Sequence, residues 1–129
     1  MSTTNKTAKI IYWIPTVLFS LLMLYSASAY FNAPQIQAAF VHLGFPDYFR
    51  KELGIAKLIG AIALLAPLPG KMKEWAYAGF GITLISALIA HISSGDSVQI
   101  FAPVLVALIL LALSYIFYNR VNDSRPAIA

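Results

Sequence analysis

Six side chains that could take part in binding or proton transfer interrupt an otherwise apolar chain. They are His42, Tyr48, Arg50, Glu52, Lys57 and His91. An arginine or lysine can hold an anionic or carbonyl oxygen, a glutamate can orient such a cation, and a histidine can exchange a proton near neutral pH. These residue types predict a site for the polar head group of a ligand, such as a quinone ring, a lipid head group or a small anion.

The surroundings of these six residues are those of an integral membrane protein. The chain has 129 residues, of which 60% are hydrophobic and 11% charged, and its mean hydropathy is +0.76. A soluble domain has about 25% charged residues. Ionisable side chains inside a membrane are costly and mark functional sites by default. The alternative is that the charges at 50–52 are interfacial anchors and that the Lys57 amine reaches outwards along its apolar stem.

Several kinds of chemistry are excluded or disfavoured by composition. There is no cysteine, which excludes disulfides, thiol redox chemistry, iron–sulfur clusters and thiolate metal sites. The net charge of +4 is scattered, so no nucleic-acid surface is expected. Two histidines without HxxxH spacing disfavour haem, and no metal site is expected. No complete catalytic set is present either, so the chain is not expected to be an enzyme on its own.

Hydropathy predicts one all-α domain, residues 1–129, folded as a bundle of four transmembrane helices. The predicted spans are residues 10–31, 48–67, 75–93 and 98–118, followed by a polar tail at 119–129. An alternative for the first span is a cleaved signal peptide with an A-x-A site at Ala27-Ser28-Ala29. The apolar run is longer than the roughly 7–15 residues of such peptides, which disfavours that alternative.

Shorter segments join and pack the predicted spans. Pro34 opens an amphipathic piece that we expect to lie as a short helix at the membrane interface, until Gly44 and Pro46 end it. Residues 69–74 are predicted to form a tight turn. Small residues recur at helical spacing on the second and third spans and predict close helix packing. They are Ala56, Gly60 and Ala63, and Gly79, Thr83, Ser86 or Ala87, and Ala90 or His91.

The distribution of lysine and arginine predicts the orientation. One side of the membrane collects Lys6, Lys9, Lys71, Lys73, Arg120 and Arg125, and the other has Arg50, Lys51 and Lys57. The positive-inside rule therefore places both termini in the cytoplasm, with the chain in the inner (cytoplasmic) membrane. The six candidate residues, together with Asp47 and Asp96, then fall at the outer end. Lys57 and His91 are expected at similar shallow depth.

Two stretches of the sequence carry a resemblance to a known family. The run HLGFPDYFRKELGIAKLIGAIALLAP, followed by KEWAYAGFGITLISALIAH, is similar to the DoxX-like family of small four-helix membrane proteins, over about Trp13 to Tyr118. The resemblance implies a bacterial membrane subunit tied to respiratory or sulfur oxidation, as in a thiosulfate:quinone oxidoreductase, or to a complex that detoxifies oxidants. Distant eukaryotic relatives act as cargo receptors or assembly chaperones without redox chemistry.

Two hypotheses of function follow. In the first, the chain is an accessory subunit of a quinone-dependent or oxidant-detoxifying oxidoreductase and binds a quinone-like or lipid ligand through the six candidate residues. In the second, it is a non-redox assembly or scaffold factor that grips a partner helix or a lipid. Membrane lipid, a protein partner or a second copy of the chain are the expected partners. Because fold transfers within a family better than function, the resemblance does not decide between the two.

Overall fold

The structure, a computed structural model, describes residues 3–123, with side chains described for residues 6–121. Within that range the chain forms five α-helices and no strand, so the predicted all-α class is confirmed. The helices are α1 (Thr3–Asn32), α2 (Pro34–Leu43), α3 (Asp47–Leu65), α4 (Gly70–Ser93) and α5 (Val98–Asp123).

In the described part of the chain, three helices are long and apolar enough to cross a membrane. They are α1 over Lys6–Asn32, α4 over Gly70–Ser93 and α5 over Val98–Val121. The 19 residues of α3 reach about 28 Å at roughly 1.5 Å per residue, but Arg50, Lys51, Glu52 and Lys57 lower its hydropathy. The fourth predicted span therefore stays a prediction.

The long helices pack in a closed ring around one apolar core. Both α1 and α4 contact α3 and α5, while α2 lies against α1 and α3. At the centre the rings of Phe19 and Phe80 meet edge to face, with centroids 4.9 Å apart, an arrangement that aromatic pairs prefer. We call the end formed by α2, the start of α3 and the α4–α5 turn the α2 end. The other end holds the start of α1, the α3–α4 connection and the end of α5.

Hydroxyl groups form a buried chain across the core. The Ser114 hydroxyl lies 2.5 Å from that of Thr16 and 2.7 Å from that of Tyr77, and Thr16 donates to the carbonyl of Tyr12 at 2.6 Å. These bonds join α1, α4 and α5, and they satisfy polar groups that would be costly to bury alone. One turn along α1, the Ser20 hydroxyl is buried and has no hydrogen-bond partner among the described residues.

Three helix boundaries differ clearly from the prediction, and the first is the start of α1, which lies at Thr3 and not at residue 10. Residues 69–74 are not a turn, because α4 begins at Gly70 and the Pro69 carbonyl accepts the N–H groups of Met72 and Lys73. Similarly α5 continues to Asp123, past the predicted end at 118, and the rest of the predicted tail lies outside the described residues. These errors share one cause, since polar residues end an apolar run without ending the helix. At the start of α4 the polar residues are lysine and glutamate, which are also good helix formers.

The short helix α2 was predicted, and its end is set by a glycine. Gly44 has a left-handed backbone with φ of 85°, which side chains other than glycine rarely adopt. The Gly44 N–H donates to the Val41 carbonyl, and the Phe45 N–H donates to the Phe40 carbonyl. The Phe40 ring then packs between α1 and α3, 5.2 Å from the ring of Tyr30. The chain is thereby turned so that α3 can begin beside α1.

Candidate functional site

Among the described residues, three cationic side chains are buried, and they are the starting point for a site. Arg50, Lys57 and Lys73 are each 7% exposed. A buried charge is costly unless it is paired or well hydrogen-bonded. Each of the three must therefore have a structural partner or a use.

Arg50 has a structural use at the α2 end. Its guanidinium donates to the backbone carbonyl of Tyr30, in the last turn of α1. It also donates to the Asp47 carboxylate through Nη2 at 2.8 Å and Nε at 3.2 Å. These hydrogen bonds lower the pKa of Asp47. Arg50 therefore caps the carboxyl end of α1, where unpaired carbonyls favour a cation.

Lys73 plays the same part at the other end. Its ammonium donates to the carbonyl of Leu64 at 2.7 Å, in the last turn of α3. The charge again lies where the carbonyls of a helix end are unpaired.

Lys57 is the exception. Its ammonium donates to the hydroxyls of Ser26 at 2.8 Å and Tyr30 at 2.9 Å, and it lies 4.0 Å from the centroid of the Tyr30 ring. None of the ion pairs among the described residues includes it. An ammonium has three N–H donors, and the two hydroxyls accept two of them. One N–H therefore remains for another acceptor, and no negative charge in the part of the chain that the structure describes compensates the ammonium. Lys57 does not reach outwards to solvent, which removes the anchor explanation for this residue.

An apolar groove of about 400 Å³ between α3 and α4 includes Lys57 in its lining. Its other lining residues are Leu53, Ala56, Ile59, Gly60, Ala63, Met72, Trp75, Ala76, Gly79, Phe80 and Thr83. Among them, Lys57 alone is ionisable. The groove has the size of a small-molecule site, which is typically apolar with few polar groups. The arrangement suits an apolar molecule that carries one anionic or carbonyl oxygen.

The small residues predicted to bring α3 and α4 together do so only in part. At Gly60 the approach is close, because a Cβ there would lie 2.7 Å from the Phe80 ring. At Gly79 a Cβ would meet nothing within 4 Å. The prediction of close packing along all of these small residues is therefore wrong. Gly79 instead lines the groove, and so do Ala56, Ala63 and Thr83.

A second polar group closes the α2 end. The Asp96 carboxylate lies in the α4–α5 turn, with its oxygens 2.9 Å from Nε2 of His42 and 2.6 Å from Nδ1 of His91. Because a carboxylate only accepts, both ring nitrogens act as donors. The Asp96 side chain is 8% exposed, against 55% for His42 and 16% for His91. The trio links α2 to the end of α4 and the start of α5.

We expect this link to weaken in acid. Hydrogen bonds from His91 and then His42 hold the pKa of Asp96 below its usual range. A carboxyl with a depressed folded-state pKa stabilises the fold above its unfolded value, about 4, and the effect is lost as the pH falls through the folded value. Asp96→Asn should lower the melting temperature at pH 7 and flatten its decline below pH 4, as measured by scanning fluorimetry. Ser94→Ala, in the same turn, is the control; equal curves for Asp96→Asn and wild type would contradict the link.

The six predicted site residues do not form one cluster. His42 and His91 meet through Asp96, and Arg50 and Lys57 meet through Tyr30. The side chains of Tyr48 and Glu52 are exposed at the start of α3. The expectation of similar depth is also wrong: at roughly 1.5 Å per residue, Lys57 lies about 15 Å along α3 and His91 about 3 Å from the end of α4.

The residues that hold Lys57 were missed by the sequence analysis. Ser26 and Tyr30 are four apart, so they share a face of α1. Two hydroxyl side chains at this spacing on one span, together with a lysine on the next span, could have indicated that they contact the lysine. The sequence analysis placed Asp96 at the same end as the two histidines. It did not predict that Asp96 contacts His91, five residues earlier, or His42 on α2.

No group of three or more His, Cys, Asp or Glu within the described range is arranged to hold a metal ion. Asp96 and the two histidines come closest in type, but in each ring one nitrogen faces the carboxylate.

Comparison with known proteins bears on the family of the chain. A family model described as the DoxX-like family matches residues 14–113, a segment that contains α2, α3 and α4 and most of α1 and α5. No curated protein and no solved structure matches the chain. The matched segment is well over half of the chain and includes Ser26, Tyr30, Lys57 and the groove. With three helices able to cross a bilayer, this small membrane protein belongs to the DoxX-like family.

Proposed function

We propose that the chain spans the inner membrane of a bacterial cell four times, through α1, α3, α4 and α5, with α2 at the outer interface and both termini in the cytoplasm. Support for α3 as a span comes from its two faces. Ala61 and Leu64 are fully buried, while Ile55, Ile59 and Ile62 are 52–64% exposed, as expected of a helix with one side towards lipid. The excess of lysine and arginine at the other end supports the orientation.

Within this topology the protein is a non-catalytic accessory subunit that binds a quinone-like or lipid ligand in the groove between α3 and α4. The observation that carries this proposal is Lys57, a buried lysine that lines the apolar groove and whose ammonium is held by two neutral hydroxyls of α1. Burying such a charge reduces stability, and such costs are typical of functional sites. The third N–H of Lys57 is the donor for a carbonyl or anionic oxygen of the ligand.

The other candidate residues support Lys57 in this proposal. Arg50 fixes the end of α1 and hence Tyr30, which with Ser26 orients the ammonium. His42 and His91 hold the α2 end closed through Asp96. Tyr48 and Glu52, exposed at the start of α3, are available to a ligand head group or a partner there. The complex served is a quinone-dependent or oxidant-detoxifying oxidoreductase, the role that the family resemblance implies.

The test is to fill the groove. Gly79→Leu places a side chain in open space within the groove and should reduce the ligand retained after mild-detergent purification by about fivefold or more, the factor for about 1 kcal/mol of steric conflict. Mass spectrometry of solvent extracts, with absorption spectra before and after dithionite, measures the retained ligand. Ala78→Leu is the matched control, since Ala78 is exposed and does not line the groove. Equal retention in both variants would reject the groove as the site.

The alternative is an assembly factor that receives a partner helix in the same groove. It is favoured by the small residues Ala56, Gly60, Ala63 and Gly79 in the lining, since such residues admit a second helix. A stoichiometric membrane protein that is co-purified with wild type and Ala78→Leu but lost with Gly79→Leu, with extracts free of any retained small molecule, would establish this alternative.

A further inference from the structure

A second cavity, of about 490 Å³, lies at the end opposite α2. It is formed by the start of α1, the α3–α4 connection and the end of α5, so it is separate from the groove that holds Lys57. Its walls combine lysine, aromatic and apolar side chains. The residues that matter for its chemistry are Lys9, Tyr12, Trp13, Lys73 and Tyr118.

The charge lining this cavity is entirely positive. Lys9 and Lys73 contribute two ammonium groups, and none of the residues that line the cavity is acidic. Lys73 is buried and uses one donor on the Leu64 carbonyl. Its ammonium lies 5.9 Å from the centroid of the Trp13 ring, at the edge of the distance at which such pairs attract. The cavity therefore offers two cations to a ligand and no carboxylate to oppose it.

The rest of the lining is suited to an amphipathic molecule. Leu65, Pro67 and Leu68 form an apolar wall, and Ile10 and Ile14, on either side of Trp13, are 62% and 57% exposed. An acyl chain leaving the cavity could lie along this exposed surface of α1. The first turn of α4, whose N–H groups favour an anion, begins at the cavity with Gly70.

We propose that this cavity binds the phosphate group of an anionic phospholipid, with Lys9 and Lys73 as the cations that contact it. Basic pockets between membrane helices bind acidic head groups at the cytoplasmic surface. The phosphate supplies the negative charge that the two lysines lack, and the acyl chains cover apolar surface that a free anion would leave exposed. This site rests on the proposed topology, which puts the cavity at the cytoplasmic surface, but it does not depend on the ligand proposed for the groove.

Native mass spectrometry of the full chain in detergent, titrated with phosphatidylglycerol or phosphatidylcholine, tests the proposal. Wild type should bind the first phosphatidylglycerol more tightly than phosphatidylcholine, and Lys9→Gln should reduce that preference by about fivefold, the factor expected for one lysine near a membrane surface. Lys73→Gln should add a similar loss. Because this second change also removes a cap from α3, the exposed Lys9 provides the variant in which folding is not at risk.

Lys71→Gln is the matched control, since Lys71 is exposed on the same helix as Lys73 but does not line the cavity. A full preference in Lys71→Gln and a reduced one in Lys9→Gln is the expected pattern. Equal losses in the two variants, or equal binding of the two lipids by wild type, would overturn the proposal. A third arm uses inorganic phosphate: if millimolar phosphate displaces the lipid and raises the melting temperature by itself, free phosphate rather than lipid is the ligand, and the proposal fails.

Discussion

Lys57→Met should remove most of the retained ligand and leave a protein that is at least as stable as wild type. The ligand loses a charged hydrogen-bond donor, an interaction worth about 1.5–3 kcal/mol, so its affinity should fall by about 10-fold to 150-fold. Stability should change in the opposite direction. Replacing a buried charge with an apolar side chain of similar volume is often neutral or stabilising.

The environment of Lys57 supports this expectation of opposite effects. Its partners on α1 are two hydroxyls, and without the ammonium the hydroxyls of Ser26 and Tyr30 can bond each other. Removing the lysine therefore leaves no charged group unpaired. We expect the free energy of unfolding to rise by about 1–2 kcal/mol, at the lower end of what such replacements give.

The measurement combines extract mass spectrometry with thermal scanning of the same preparations. Lys51→Met is the control, because Lys51 is 59% exposed on the same helix and lies 3.8 Å from Asp47. It should change neither quantity appreciably. Undiminished ligand in Lys57→Met would reject Lys57 as a contact, and a large loss of stability would assign the lysine a structural role instead.

Phe19→Ala should have the largest effect on stability of the changes considered. Phe19 has no exposed surface, and its ring meets Phe80 edge to face. Deleting a buried phenylalanine ring costs about 3–5 kcal/mol, through lost transfer energy and the cavity left behind. Since Phe80 rests on Gly60 and also lines the groove, the loss would loosen α4 against α3 as well as α1.

Unfolding of detergent-solubilised protein by heat or by increasing SDS measures this loss. Leu21→Ala, on the same helix and 55% exposed, removes apolar side-chain atoms outside the core and should cost far less. If the two variants unfolded at the same point, the core described around Phe19 would not be the one that holds the helices together.

The sequence was sufficient to predict the helices but not all of their ends. Apolar runs located α1, α4 and α5, and Gly44 located the end of α2. The start of α4 was missed because Lys71, Lys73 and Glu74 were interpreted as a polar turn, although such residues continue a helix well. Hydropathy indicates where the sequence changes from apolar to polar. A helix ends elsewhere, at the residue where the helical backbone hydrogen bonds stop.

The candidate site stays a prediction, and the structure changes how its residues are grouped. The charges at 42–57 and His91 were singled out as ionisable side chains of an apolar chain, but which of them meet depends on how α1 faces α3. Arg50 and Lys57 both reach α1 and share Tyr30, whereas His42 and His91 reach the α4–α5 turn. A single sequence gives the spacing within one helix and carries no direct information on the neighbour each side chain finds.

The contacts of α3 also bear on how the protein is assembled in the bilayer. Arg50 and Lys57 find their partners on α1, and Lys73 of α4 caps the other end of α3. In the proposed topology, α3 alone would carry unpaired charges into lipid, a cost of several kcal/mol that insertion machinery resists. We expect α3 to be retained in the membrane only once α1 is already there, so that the two helices are inserted as a pair and α4 completes the unit.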